Sequence, residues 1–424
     1  MGLGYLKIQT RTGEDAVPVI GADVLIKDTT GKLLYRLKTN ENGTTDTVKL
    51  YAPEKYHTLD PYDPGPYYSV YEVDVFYPQK YINKIVYNVQ IFDTITAILP
   101  VDMLPLPDKT PSMTDIIDIP PTTIDLSIYN KGGNTDKTPN MNMPDDRNTH
   151  MKNYTAFTNE PILYRYPDNE QNTMQTLSSN EILIPDYITV HLGAPTSSAR
   201  NVRVSFTDYI KNVASSEIYP TWPNASLRSN IYAQISFALN RVFTQWYRSR
   251  GFNFDITSST SVDQSYVDGR DIFENISIII DEIFNSFIRR PGRLEPLFAQ
   301  FCNGTTSTCP GLSQWGTVTL ANQGMTPLQI LRHYYPNDVI ISTSNNIAAI
   351  TSSYPGSPLR EGSTGEDVRL IQRYLNRIRV NYPLINQIAN PNGVFADDTK
   401  KAVTTFQQIF NLTADGIVRK FYMV

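Results

Sequence analysis

The apolar residues of this chain change their spacing along its length, and that change limits what each part can fold into. Up to about Pro105 they alternate with polar residues, as in Leu6/Ile8, Val24/Ile26 and Tyr71/Val73/Val75, and turn signals at Thr30-Gly31 and Asn42-Gly43 interrupt the runs. A period of two gives a strand one apolar face, so this region predicts a small β-sandwich. From Ile182 onward, ILIPDYITVHLGAP and NVRVSFTDYI supply further strands, and then the spacing becomes three to four. Leu227, Ile231, Ile235, Ala238, Leu239, Val242 and Trp246 share one helix face, with Asn224 as the expected N-cap. Ile272, Phe273, Ile276, Ile279, Ile280, Ile283, Phe284 and Phe287 predict a second helix, opened by Asp271 and closed by Pro291-Gly292. A short helix is expected from Thr326 to Tyr335.

A chain of 424 residues has room for several separate cores, at roughly 100–200 residues per domain. Its net charge of −5 supplies no basic surface, which argues against a nucleic-acid partner. The N-terminal MGLGYLKIQT has neither a basic nor an apolar signal region, and no run of roughly 18 apolar residues occurs, so neither a secretory signal nor a membrane span is expected. Residues 106–160 are rich in Pro, Asn, Asp, Thr and Met with little apolar periodicity, and read as an exposed, protease-accessible linker. Cys302 and Cys309 could close a small loop or remain two thiols. His57, His150, His191 and His333 form no ligand pattern with them, so neither a metal nor another cofactor is expected. Between the two long helices, FDITSSTSVDQSYVDGR is too polar for a buried element and is a candidate site loop.

The last part of the chain repeats itself at a spacing of 31. Gly362, Gly365, Asp367 and Arg369 recur as Gly393, Ala396, Asp398 and Lys400, each set opening an amphipathic helix. The stripes are Val368/Ile371/Leu375/Ile378 and Ala402/Val403/Phe406/Phe410. A duplication of this size suggests a compact three-helix module.

Several words carry family resemblances. LREGSTGEDVRLIQRYLN, NGVFADDTKKAVTTFQQIF and LTADGIV resemble the peptidoglycan-binding type 1 family, except that IVRKFYMV replaces the pattern's final G-x-x-T. PVIGADVLIKDTTGKLLYRLKTNENGTT resembles carboxypeptidase-regulatory-like or Cna-B-type sandwiches. DYIKNVASSEIYPTWP, FDITSSTSVDQSY and GLSQWGTVTLANQGMTPLQILRHYY resemble the stage II sporulation protein D (SpoIID/LytB) family of lytic transglycosylases. In order, the whole is similar to spore cortex-lytic enzyme precursors of the SleC type. The resemblance implies a multidomain chain with a β-sandwich prodomain at 1–105, a linker at 106–160, an α/β SpoIID-like catalytic domain at 161–345 and a peptidoglycan-binding domain at 346–424. It further implies peptidoglycan glycan strands as substrate, an activating protease as partner, and a spore cortex or coat setting at germination. Family members that bind zinc use a Cys-His-Cys grouping at a T-H-C-Q word, which reads Ser261-Val262-Asp263-Gln264 here, so metal is not carried over. The glycine-rich lead-in of the G-M-S-Q-W-G word is likewise cut down to Cys309-Pro310-Gly311.

Cleaving a glycosidic bond needs an acid for the leaving oxygen, and Glu217 matches the family's acid in its V-A-x-E word. The adjacent Tyr219-Pro220-Thr221-Trp222-Pro223 is expected to desolvate that carboxyl and raise its pKa. Asp263 and Gln264 are expected to orient substrate or water. Trp222, Tyr266, Ser313, Gln314 and Trp315 are candidates for sugar contacts, through ring faces and amides. Two other readings stay open at this stage: a non-catalytic wall adhesin, and a phage or injection-machine lysin with the same chemistry.

Overall fold

The computed structural model describes residues 2–13, 17–106, 112–125, 181–348, 357–379 and 382–419. The first nine strands are β1 (Gly2–Thr12), β2 (Val17–Pro18), β3 (Asp23–Lys27), β4 (Leu33–Lys38), β5 (Val48–Ala52), β6 (Ser69–Phe76), β7 (Asn83–Ile91), β8 (Thr96–Asp102) and β9 (Thr114–Asp118). They form two sheets. In one, β1 lies between β8, its parallel neighbour, and the antiparallel β2 and β5; the other runs β4-β3-β6-β7-β9. Every second residue of β1 is buried, so Leu6 and Ile8 face Val24, Ile26, Val73 and Val86 in one apolar layer. The expected linker thus begins with a strand: β9 adds in parallel to β7, Ile116 opposite Ile85. The rest of that stretch, from 126, lies outside the described residues.

The central unit opens with β10 (Tyr187–His191) and β11 (Asn201–Ser205), an antiparallel pair extended by β12 (Ile256–Thr257). Helix α1 (Phe206–Glu217) follows, capped by the Ser205 hydroxyl, which accepts from Asp208 N. Helix α2 (Asn224–Phe243) begins one residue earlier than expected. Its N-cap is Pro223, and the Asn224 amide oxygen accepts from Arg228 Nε at 3.0 Å instead of capping.

The predicted helix over Asp271–Phe287 is three elements. Ile272–Phe273 is a short strand, β13, only Glu274–Ile283 is helical (α3), and Ser286–Arg289 is β14. Isoleucine and phenylalanine suit a strand as well as a helix, so the choice fell to neighbouring edges. Phe273 pairs with Ala97 on the free edge of β8, and Phe287 with Ser342 of β17 (Ile340–Thr343). The remaining elements are β15 (Phe301–Cys302), β16 (Leu312–Ser313), α4 (Gln314–Asn322) and α5 (Pro327–Tyr334), the last capped by Thr326 in a reciprocal box with Gln329. Cys302 and Cys309 are disulfide-bonded, which resolves the two options their spacing allowed.

Strand β13 has a larger consequence. It brings the central unit onto the sandwich, and one continuous core runs from Leu6 and Val73 through Phe92 and Phe273 to Val213, Tyr219 and Ile235. The Phe92 and Phe273 rings meet edge-on, 5.1 Å between centroids. The separate core expected of the sandwich is shared instead.

The C-terminal module has its own core around Val368, Leu375, Phe395, Ala402, Phe406 and Phe410. Among the described residues it has two helices, α6 (Glu366–Ile378) and α7 (Asp397–Ile409), rather than three. A pair of equivalent clasps replaces the third. Gln372 donates to Val394 O and accepts from Gly393 N; Gln407 donates to Ile417 O and accepts from Gly416 N. Each buried amide therefore fixes the glycine turn that follows its helix. Val17 of the sandwich completes this core, and Tyr81 Oη donates to Phe410 O at 3.1 Å.

Candidate functional site

Glu217 is the last residue of α1, and only 3% of it is exposed. One carboxyl oxygen accepts from Ser265 N at 2.8 Å and the other from Gln234 Nε2 at 2.9 Å. Burial pushes its pKa up to about 8, against the opposing pull of those two donors. Its place at the C-terminal end of a helix also disfavours a negative charge. At neutral pH the carboxyl therefore carries a proton, as a general acid requires. Gln234 Oε1 is buried without a partner. The amide turned the other way would present that oxygen to the protonated carboxyl, so one side chain can serve both protonation states.

Gln234 was hidden within the apolar stripe of α2. The signal was there in retrospect: Asn230, Gln234 and Arg241 are polar residues buried on a helix whose pattern otherwise reads as core.

The loop after β12 is solvated only in part: Thr260 and Ser261 are exposed, but several of its polar side chains are not. Thr257, Gln264 and the Asp263 side chain are buried with hydrogen bonds in place of water, and Asp271 is buried beside the Arg270 guanidinium, 3.7 Å away. Asp263 receives Arg241 Nε at 2.9 Å on one oxygen and Tyr247 Oη, Thr257 N and Thr257 Oγ1 on the other. With both oxygens engaged it anchors the loop and faces no open space. Gln264 accepts from Tyr209 Oη and donates to Gln234 O, which places it behind Gln234 rather than beside a substrate. Asp263 and Gln264 thus hold Ser265 N against Glu217.

The aromatic candidates are also inside. Trp222 and Trp315 pack with ring centroids 5.0 Å apart, and Tyr219 lies edge-on to both. Trp222 Nε1 donates to Thr58 O at 2.8 Å, so the ring is committed to the sandwich, while Trp315 Nε1 is buried without a partner. Tyr266 stacks on Tyr209 and is almost fully covered. Ser313 caps α4 by accepting from Gly316 N, and Gln314 is buried. The glycine of that word has a steric reason: a Cβ on Gly316 would lie 2.0 Å from Tyr334 Oη. The words around Glu217 do come together, then, but as a packed wall around its carboxyl rather than as an open sugar platform. Beside that wall, Trp222, Leu227, Arg228, Asn275 and Glu282 line a hollow of about 260 Å³.

The sandwich closes the other side. Thr58 and Thr221 hydroxyls are 2.5 Å apart, Tyr67 and Phe92 pack on Tyr219, and Thr123 N donates to Ser216 O. Among the described residues no group of three or more His, Cys, Asp or Glu could hold a metal ion, and no helix is long and apolar enough to cross a membrane.

A search of the curated proteins returns no match to this chain. Residues 364–418 match the family described as "Putative peptidoglycan binding domain", the span that contains α6, α7 and both glutamine clasps. This is a multidomain, cell-wall-associated protein with a sheet-rich N-terminal part and a C-terminal helical module for peptidoglycan.

Proposed function

We propose that the chain is a lytic transglycosylase acting on peptidoglycan, with Glu217 as the single acid and base. The observation that carries this reading is the buried carboxyl of Glu217, protonated at neutral pH and held by two donors. Glu217 gives its proton to the glycosidic oxygen as the bond to the muramyl C1 breaks. The resulting carboxylate takes the proton of the muramyl C6 hydroxyl, whose oxygen closes on C1. The products are one new free 4-hydroxyl end and one 1,6-anhydromuramyl end, with no water consumed. Asp263 cannot act as a second carboxylate while Arg241 and Tyr247 hold it, which favours the internal attack over hydrolysis. Mass spectrometry of fragments from purified spore cortex tests this: anhydro ends are expected, and reducing ends would replace the reading with hydrolysis.

The sandwich contacts at Ser216, Tyr219 and Trp222, beside Glu217, support a precursor form restrained by the sandwich and activated by proteolysis, in the spore setting that the resemblance implies. A cut in the linker would sever the chain without dissolving the shared core, so activation also requires the sandwich to shift or leave. Limited proteolysis is expected to cut first within 131–153, and the nicked protein to digest cortex faster than the intact chain. Equal rates would make the sandwich a permanent part of the enzyme. The low exposure of Glu217 equally favours one rival, a non-catalytic adhesin that uses only its C-terminal module. Residues 356–424 alone are expected to bind insoluble peptidoglycan without degrading it, though with lower stability for want of Val17. A fragment that stays in the supernatant of a sacculus pull-down would remove both readings of that module.

A further inference from the structure

A second concave site lies at the end of the sheet of the central unit, apart from Glu217. His191 is the last residue of β10, Asn201 the first of β11, and Phe254 lies just before β12. The intervening residues 192–200 leave a groove of about 710 Å³ there, lined by His191, Ser197, Asn201, Phe252, Asn253 and Phe254 among others. No carboxylate, lysine or arginine is among the described lining residues. The His191 and Phe254 rings are stacked, 4.7 Å apart, and form the buried floor, while Thr196, Ser197 and Asn253 are exposed at the rim.

The polar groups of this floor are linked in a chain. His191 Nδ1 is 2.8 Å from Asn201 Oδ1, and Asn201 Nδ2 donates to Asn253 Oδ1. Ser197 Oγ lies 3.2 Å from His191 Nε2 and donates to Ala194 O at 2.7 Å. The same contact argues against Ser197 as a nucleophile, because its hydrogen points away from the histidine.

We propose that this groove is a binding subsite for an N-acetylated amino sugar of a glycan strand. An uncharged groove with aromatic surface, two amides, a hydroxyl and an imidazole matches a pyranose with apolar C–H faces, hydroxyls and an acetamido group. It adjoins the loop that supports Glu217: Ser258 N donates to His191 O at 2.9 Å, and Arg200 pairs with Asp268. The inference rests on a glycan substrate, but its readout is binding and not cleavage.

The test uses the full chain carrying Glu217→Gln, chitotetraose as probe, and side-chain nitrogen spectra of the four histidines His57, His150, His191 and His333. The C-terminal module has no histidine, so binding there is silent. Chitotetraose is expected to shift the His191 signals saturably at millimolar concentration and to leave the other three in place, while cellotetraose, which lacks the acetamido groups, shifts none. Asn253→Ala, at an exposed rim position, is expected to weaken the response about tenfold with the other histidine signals unchanged. No shift at His191, an equal shift with cellotetraose, or an unaltered response in Asn253→Ala would overturn the subsite. A wild-type protein that binds chitotetraose at His191 but cleaves no glycan would sink the proposed activity and leave the subsite standing.

Discussion

Replacing Glu217 with glutamine is expected to lower glycan-fragment release by about 10²–10⁴-fold, because the amide keeps the side chain's size and cannot deliver a proton. Wild-type activity should fall as pH rises through about 8, where the carboxyl ionises. Stability should move in a linked way. A carboxyl with a folded pKa near 8 and an ordinary value of 4.5 holds its proton more tightly when folded. Its contribution is therefore fully present below 4.5 and is lost progressively as pH rises toward 8. Glutamine has no such dependence, so Glu217→Gln should become more stable than wild type across that window while losing activity. Denaturant unfolding at pH 5 and pH 8.5, paired with cortex digestion, measures both. A variant that keeps near-normal release would exclude Glu217 as the acid. One that loses activity but gains no relative stability at high pH would mean that the carboxyl ionises freely in the fold.

Asp263→Asn is expected to cost about 3–5 kcal/mol of stability, the range for removing one partner of a buried ion pair. Both Asp263 oxygens face donors: Arg241 Nε on one side, and Tyr247 Oη, Thr257 N and Thr257 Oγ1 on the other. Asparagine has one oxygen, so its NH₂ must confront donors whichever way it turns. Arg241, buried among Phe237, Trp246 and Phe298, would keep an uncompensated charge. The loop that carries Ser265 N would loosen with it, so activity should fall as a consequence of lost order. Urea unfolding with hydrogen exchange on residues 257–268 checks the origin. Loss of activity with stability within about 1 kcal/mol of wild type would show instead that Asp263 meets the substrate.

The contrast between these two carboxylates marks how far the sequence reached. Both sit in words that resemble one family, and nothing in their local pattern shows which partners each carboxyl meets. The difference lies in what arrives from elsewhere in the chain: a backbone N–H and an amide at Glu217, a guanidinium and a phenol at Asp263. Desolvation follows from tertiary packing, and so does the pKa.

The sequence alone determined the elements whose faces are set by their own periodicity. Leu6/Ile8 and Val24/Ile26 alternate and are strands with buried alternate residues; Val368/Ile371/Leu375 and Ala402/Val403/Phe406 recur at helical spacing and line the module's core. The 31-residue repeat marked the paired helix starts, because each half makes the same local bonds. Tertiary structure decided whatever depended on a partner distant in sequence. The Ile272–Phe287 run split because sheet edges at Ala97 and Ser342 competed with the helix for its ends. The side chains of Asp263 and Gln264 went inside because Arg241, Tyr247 and Gln234 supplied the bonds that water would have made. Trp222 and Trp315 became core because Tyr219 and the sandwich closed over them. Periodicity reports which residues share a face, and only the fold determines what that face meets.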